Sequence, residues 1–123
     1  MKSITAQAFS KVLETEKDNT DIAFINVCTP AEYASTCIDG VESMPLSDLA
    51  SRVHELKGKS TVYVHCASGA RSQLAIEKLQ ELGVQADLIN IEGGLMSWMS
   101  AGLQTVAGTA RASLFGKLFG KIG

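Results

Sequence analysis

The sequence predicts an α/β domain whose central, mainly parallel sheet is covered by helices on both faces, and three observations carry that reading. Short apolar runs rich in β-branched residues alternate with segments of helical period from end to end of the first hundred residues. Ile22 to Val27 is apolar throughout except at Asn26, the pattern of a strand buried on both sides. The 123 residues, 46% hydrophobic with 2 prolines, suffice for one compact core and argue against disorder. Strands and helices alternating at this spacing form three layers, and such sheets gather ligands at the carboxyl ends of their central strands.

Taken in order, Ser3-Ile4 is a short edge strand, and Thr5 caps a helix with Ala6, Phe9, Val12 and Leu13 on one face. Glu14 to Asp21 is charged and polar and reads as a loop before the strand Ile22 to Val27. Thr29-Pro30 starts a short helix, with Pro30 in its first position and Glu32 in its first turn. Asp39-Gly40 makes a turn, Val41 to Met44 a short strand, and Pro45 ends it. Ser47 is placed to cap a helix bearing Leu49, Val53 and Leu56, and Lys57-Gly58-Lys59 turns into the strand Thr61 to Val64. Leu74, Ala75, Ile76, Leu79 and Leu82 recur at helical spacing, with Gly83 as the C-cap. Ala86 to Ile91 is a further strand, Glu92-Gly93-Gly94 a tight turn, and Leu95 to Ala101 a helix stopped by Gly102.

The formal charge of -2 hides an asymmetry: residues 1–92 hold 8 basic and 13 acidic residues, whereas residues 93–123 hold 3 basic residues and no acid. An acidic body without a basic stripe makes nucleic acid an unsuitable partner. Neither a secretory leader nor a run long enough to span a bilayer is present in the pattern, so a cytoplasmic location is the default expectation. Three cysteines, at 28, 37 and 66, contain no CxxC pair and fit reduced thiols better than a disulfide scaffold or a zinc site.

The stretch with chemistry in it is Tyr63-Val64-His65-Cys66-Ala67-Ser68-Gly69-Ala70-Arg71-Ser72. A strand ends in a cysteine, and small residues lead into a helix. Backbone N–H groups of a tight loop converge on such a sulfur, the helix N-terminus adds partial positive charge, and Arg71 adds a formal one, all favouring a thiolate. Small side chains at 67–70 let the backbone curl around the sulfur and an anion approach it. An inert cysteine buried in a strand-to-helix turn is the alternative on this stretch alone.

Four motifs in order resemble the rhodanese family over roughly residues 3–104: Ile25-Asn26-Val27-Cys28-Thr29-Pro30-Ala31-Glu32-Tyr33; Asp39-Gly40-Val41 before Met44-Pro45-Leu46; Cys66 to Ser72; and Glu92-Gly93-Gly94-Leu95 with Trp98 and Ala101-Gly102-Leu103. The resemblance implies a rhodanese-like three-layer fold and a sulfurtransferase. Cys66 and Arg71 are then the catalytic residues, and Ala67, Ser68, Gly69, Ala70 and Ser72 form the substrate-binding loop. The Cys66 thiolate takes the outer sulfur of thiosulfate or a similar sulfane donor, leaving a persulfide. Cyanide, a small thiol or a protein thiol then accepts the sulfur, and neither a metal nor an organic cofactor is required. A non-enzymatic sulfur carrier or partner-binding module is the alternative. Cysteine-based phosphatases and arsenate reductases resemble the arrangement too, but phosphatases place five residues between Cys and Arg to surround an oxyanion. Here there are four, Ala67 to Ala70, which favours a sulfane sulfur.

The family usually has Asp at Asn26, Arg at Cys28 and Gly-His-Ile at Thr36-Cys37-Ile38, so buried polar contacts have to be rebuilt here. Cys28 and Cys37 occupy two of the altered positions and are expected to lie near each other, as core thiols or as a redox pair. His65 points to the opposite face from Cys66 and reads as a satisfied, partly buried histidine; His54 reads as solvated, Trp98 as packing under the glycine turn and Glu92 as a brace. The domain is drawn at 1–105 and an amphipathic basic tail at 106–123. In the tail Leu114, Phe115, Leu118, Phe119 and Ile122 form one stripe, flanked by Arg111, Lys117 and Lys121. That stripe would cover its own domain, a second copy in a homodimer or a membrane surface.

Overall fold

The computed structural model describes residues 1–108. Five strands, β1 (Lys2–Ile4), β2 (Ile22–Asn26), β3 (Glu42–Ser43), β4 (Thr61–His65) and β5 (Asp87–Ile91), form one parallel sheet in the order β1-β5-β4-β2-β3. The helices are α1 (Ala6–Glu16), α2 (Pro30–Ser35), α3 (Leu49–Arg52), α4 (Ala70–Glu81) and α5 (Gly94–Ser100). Alternation of side chains along the strands divides the core into two layers. Val62, Val64 and Ile25 pack with Leu49 and Leu56 of the α3 region and with Ala75, Ile76 and Leu79 of α4. On the other face Phe24 and Tyr63 meet Phe9 of α1 and Trp98 of α5. Phe9 is the centre of that layer, its ring 5.4–6.0 Å from the rings of Tyr63, Phe24 and Trp98, in the range of favourable tilted and edge-on contacts.

Local chemistry sets several boundaries as expected. The Thr5 side chain accepts from the Ala8 N–H, and Thr29 and Glu32 form a reciprocal capping box around Pro30. Gly83, at φ +89°, follows the last turn of α4, where a left-handed residue lets the chain leave the helix. Other boundaries differ. Helix α1 continues through Glu16, because Glu14, Thr15 and Glu16 form the outer side of a last turn anchored by Leu13, and polar side chains alone do not end a helix. Ser47 makes no capping bond; Leu46–Asp48 and Val53–Glu55 are 3₁₀ turns around the single α-turn of α3, held in place by buried Leu49 and Leu56. Leu74, counted with the apolar face of α4, is 57% exposed, and buried Ser72 takes a place on the inner face instead.

After α5 the chain returns across the domain as a strap. The Trp98 indole N–H donates to Gln104 O, and Cys37 and Val106 exchange two backbone hydrogen bonds of 2.8 and 2.9 Å. A Cβ on Gly108 would stand 2.4 Å from Tyr33 O, so the strap lies directly on α2 and passes residue 105, where composition alone draws the domain's end. The apolar stripe of 114–122 lies outside the described residues.

Candidate active site

Strands β2, β4 and β5 are neighbours, and their carboxyl ends build the site together. Cys66 follows β4 and has no solvent-exposed surface. Gly69, at φ +103°, turns the chain into α4 and aims its N–H at Cys66 Sγ, 3.0 Å away. Ser72 Oγ lies 3.7 Å from the same sulfur. Burial pushes the thiol up, but the Ser72 N–H and hydroxyl and the Gly69 and Ser68 N–H groups outweigh it, and Cys66 titrates below its ordinary value. The Gly69 N–H is aimed at the sulfur, and the Ser68 and Ser72 amides also favour its ionised form.

The N-terminus of α5 supports the cradle from below. Cys66 O and Ala67 O accept from the Leu95 and Met96 N–H groups at 2.9 Å. Gly94 is required there, since a Cβ would stand 2.4 Å from Cys66 O and 2.9 Å from Ala67 O. Asn90 of β5 joins from the side: its Oδ1 and Gly69 O both accept from the Ser72 hydroxyl. That one proton has three acceptors in reach once Cys66 is ionised, so Asn90 and Gly69 hold Ser72 Oγ where the sulfur can draw on it. Nothing in the local pattern of β5 distinguishes Asn90; only the β4–β5 pairing brings it to the loop.

Arg71 opens α4, but its guanidinium runs across to β2's end. It donates to Glu32 through both terminal nitrogens, at 2.6 and 2.8 Å, and its Nη2 is 3.9 Å from Cys28 Sγ. The fork holds the Glu32 carboxyl near pKa 2, Arg71 contributing most and the Thr29 N–H next. Glu32, placed by the sequence in the first turn of a short helix and within the first motif, also takes up much of Arg71's charge, and amides rather than Arg71 dominate the depression at Cys66. Ala67 and Ala70 contribute backbone and clearance, and Ser68 an N–H group.

Cys28 belongs to this site. Its thiol is raised to about 11, by burial first and by the Glu32 charge second, with Arg71 opposing. Cys37 sits at the strap bridge to Val106, and none of the three cysteines is in a disulfide. The altered position 26 keeps part of a buried polar role: Asn26 Oδ1 accepts the Cys28 N–H at 2.9 Å. Asn26 Nδ2 and His65 Nε2, on register-paired residues, have no hydrogen-bond partner among the described residues. His65 is thus fully buried rather than partly so; its Nδ1 lies 3.0 Å from Cys66 O and its desolvated ring titrates below the usual range, so it is a neutral support under the loop. His54 is exposed, Trp98 packs against Phe9, and Glu92 accepts from the Ser3 hydroxyl at the β1 edge. Among the described residues no group of three His, Cys, Asp or Glu side chains converges as a metal-binding set, and no helix is long and apolar enough to cross a membrane.

The site is thus a buried thiol, cradled by loop amides, at the end of the central strand of a parallel α/β sheet. Residues 6–101 match the rhodanese-like domain, and the chain belongs to that family. It is 36% identical over 97 residues to the uncharacterized protein slr1261 of Synechocystis, covering 78% of this chain and 53% of that protein, so it spans about half of that relative's length. It is 32% identical over 90 residues to a protein of Allochromatium vinosum named sulfurtransferase, covering 73% of this chain and 83% of the relative. The crystal structure of a rhodanese-related protein from Thermoplasma volcanium superposes with a TM-score of 0.72 at 27% identity, over 87% of this chain and 99% of that one.

Proposed function

We propose that the chain is a sulfurtransferase that carries a sulfane sulfur as a persulfide on Cys66. The observation that carries the reading is the set of donors, the N–H groups of Ser68, Gly69 and Ser72 and the Ser72 hydroxyl, directed at one buried sulfur. Thiolate and persulfide are both anions, and the same fixed dipoles stabilise each without reorganisation. In the first displacement the thiolate attacks the outer sulfur of thiosulfate or a similar donor; the S–S bond breaks, sulfite leaves with the electron pair, and the sulfane sulfur stays on Cys66. In the second, a thiol, a protein cysteine or cyanide attacks that outer sulfur and the Cys66 thiolate departs. Family membership and the name of the Allochromatium relative support sulfur transfer in general terms. The four-residue loop between Cys66 and Arg71 supports sulfur rather than phosphate or arsenate as the group held there.

The site also carries an argument for a non-catalytic carrier. Cys66 is fully covered and Arg71 is committed to Glu32, so a free anionic donor meets a closed mouth with most of its positive charge already paired. The two readings separate on turnover. Intact mass at the earliest times after thiosulfate addition should show a one-sulfur adduct that Cys66→Ser lacks, and repeated sulfite release with cyanide present marks the enzyme. An adduct formed from a persulfidated partner protein but never from thiosulfate marks the carrier, and no adduct from either source removes both.

A further inference from the structure

We propose that Cys28 is an internal resolving thiol for Cys66: once Cys66 carries an electrophilic sulfur, Cys28 closes on it to form a Cys28–Cys66 disulfide. This gives the chain a second activity, release of hydrosulfide, which rests on the persulfide proposed above. Cys28 gives up its proton as its sulfur attacks Cys66 Sγ, the bond to the outer sulfur breaks, and that sulfur leaves with the electron pair and takes up the proton as hydrosulfide. Two thiol-level sulfurs have become a disulfide and one sulfane sulfur has become sulfide, so no further oxidant enters. A dithiol reductant then restores both cysteines.

The placement supports the step. Residues 26 and 65 are register partners, and the ladder continues one residue further through the 2.9 Å bond from Val27 N–H to His65 O, which sets Val27 opposite Cys66. Cys28 is the next residue along. Both cysteines lie in one buried cluster, and Arg71, in the first turn of the helix that follows the Cys66 loop, reaches the Cys28 sulfur at 3.9 Å. The Cys66 sulfur is near enough for its charge to raise the Cys28 thiol. Both residues are sealed from solvent, at 2% and 0% exposure, so a bulky external thiol is at a disadvantage against the neighbour in place. Their protonation states divide the roles. Cys66 is the more readily ionised and meets the donor first, while Cys28 remains a thiol and does not compete for it.

The test uses the full chain, reduced and free of small thiols, treated in separate arms with thiosulfate and with hydrogen peroxide. Peroxide oxidises Cys66 to a sulfenic acid, which would condense with Cys28 to the same disulfide and water, independently of any sulfur transfer. The expected end state is a chain lighter by two hydrogens in both arms, reached in the thiosulfate arm as the early one-sulfur adduct decays, with a Cys28–Cys66 cross-linked peptide and one hydrosulfide released per chain. Cys37→Ser should behave likewise, whereas Cys28→Ser should retain the one-sulfur adduct and release no hydrosulfide. A peroxide cross-link beside complete inertness to thiosulfate would support the thiol pair while removing thiosulfate as the donor. A persulfide that persists on wild-type Cys66 without hydrosulfide release, or a cross-link from Cys28 to Cys37 in place of Cys66, overturns the proposal.

Discussion

The ends of β2 and β4 hold two cysteines of opposite character in one site. Cys66 lies inside a ring of N–H donors that overcomes burial and draws its pKa down; Cys28, one strand away, has burial and the Glu32 carboxylate against it and is raised to about 11. Both are buried, so exposure does not separate them. Donor count does: one amide, that of Ala67, favours the Cys28 thiolate, and Cys28 shares Arg71 with Glu32. At Cys66 the backbone decides the thiol's ionisation, whereas at Cys28 burial and the Glu32 charge do.

That contrast can be broken from either side. Cys66→Ser removes the nucleophile, and we expect complete loss of the thiosulfate adduct by intact mass, with Cys28 not taking its place. Gly94→Ala puts a methyl group into Cys66 O and Ala67 O at a positive φ; a destabilisation of roughly 2–3 kcal/mol in urea unfolding is expected, with Cys66 reacting less readily as its loop is displaced. Ser72→Ala takes one hydroxyl from the sulfur and leaves Asn90 Oδ1 without its donor. The rate–pH profile of Cys66 alkylation should move to higher pH, and persulfide formation at neutral pH should fall about tenfold, the worth of roughly 1.5 kcal/mol in a charged hydrogen bond.

Glu32→Gln works on the other thiol and has the smallest effect on stability. The Glu32 pKa is depressed to about 2 in the folded chain, so its contribution is present above the ordinary carboxylate value near 4.5 and is lost as pH falls from there through about 2. With its side chain 42% exposed, screening limits that contribution to about 0.5–1 kcal/mol. An acid titration of thermal stability should therefore show a shallower decline between those pH values in Glu32→Gln. The Cys28 thiol should titrate lower than in wild type, because the charge that raises it is gone.

How much of this is legible in the chain depends on how local the signal is. The β4–loop–α4 unit is readable because a β-branched run, a cysteine, small residues and a helical period follow one another, and Thr29-Pro30-Ala31-Glu32 announces its own cap. Cys28, Glu32 and Asn90 acquire their roles at the loop from strand order, which places β2 and β5 on either side of β4, and no residue within those segments encodes that order. The strap bridge between Cys37 and Val106 is equally non-local and is invisible in either segment alone. Leu74 misleads because helical period identifies an apolar set without saying which members face the sheet; buried Ser72 shows that a cradle residue displaced one of them.

The central claim is that the cradle makes Cys66, and not Cys28, the thiolate of this site. Thiolate absorbance followed against pH in wild type, Cys66→Ser and Cys28→Ser tests it directly. The account predicts one ionisation below the ordinary thiol range that disappears in Cys66→Ser and persists in Cys28→Ser. An early step that survives in Cys66→Ser and vanishes in Cys28→Ser would contradict it.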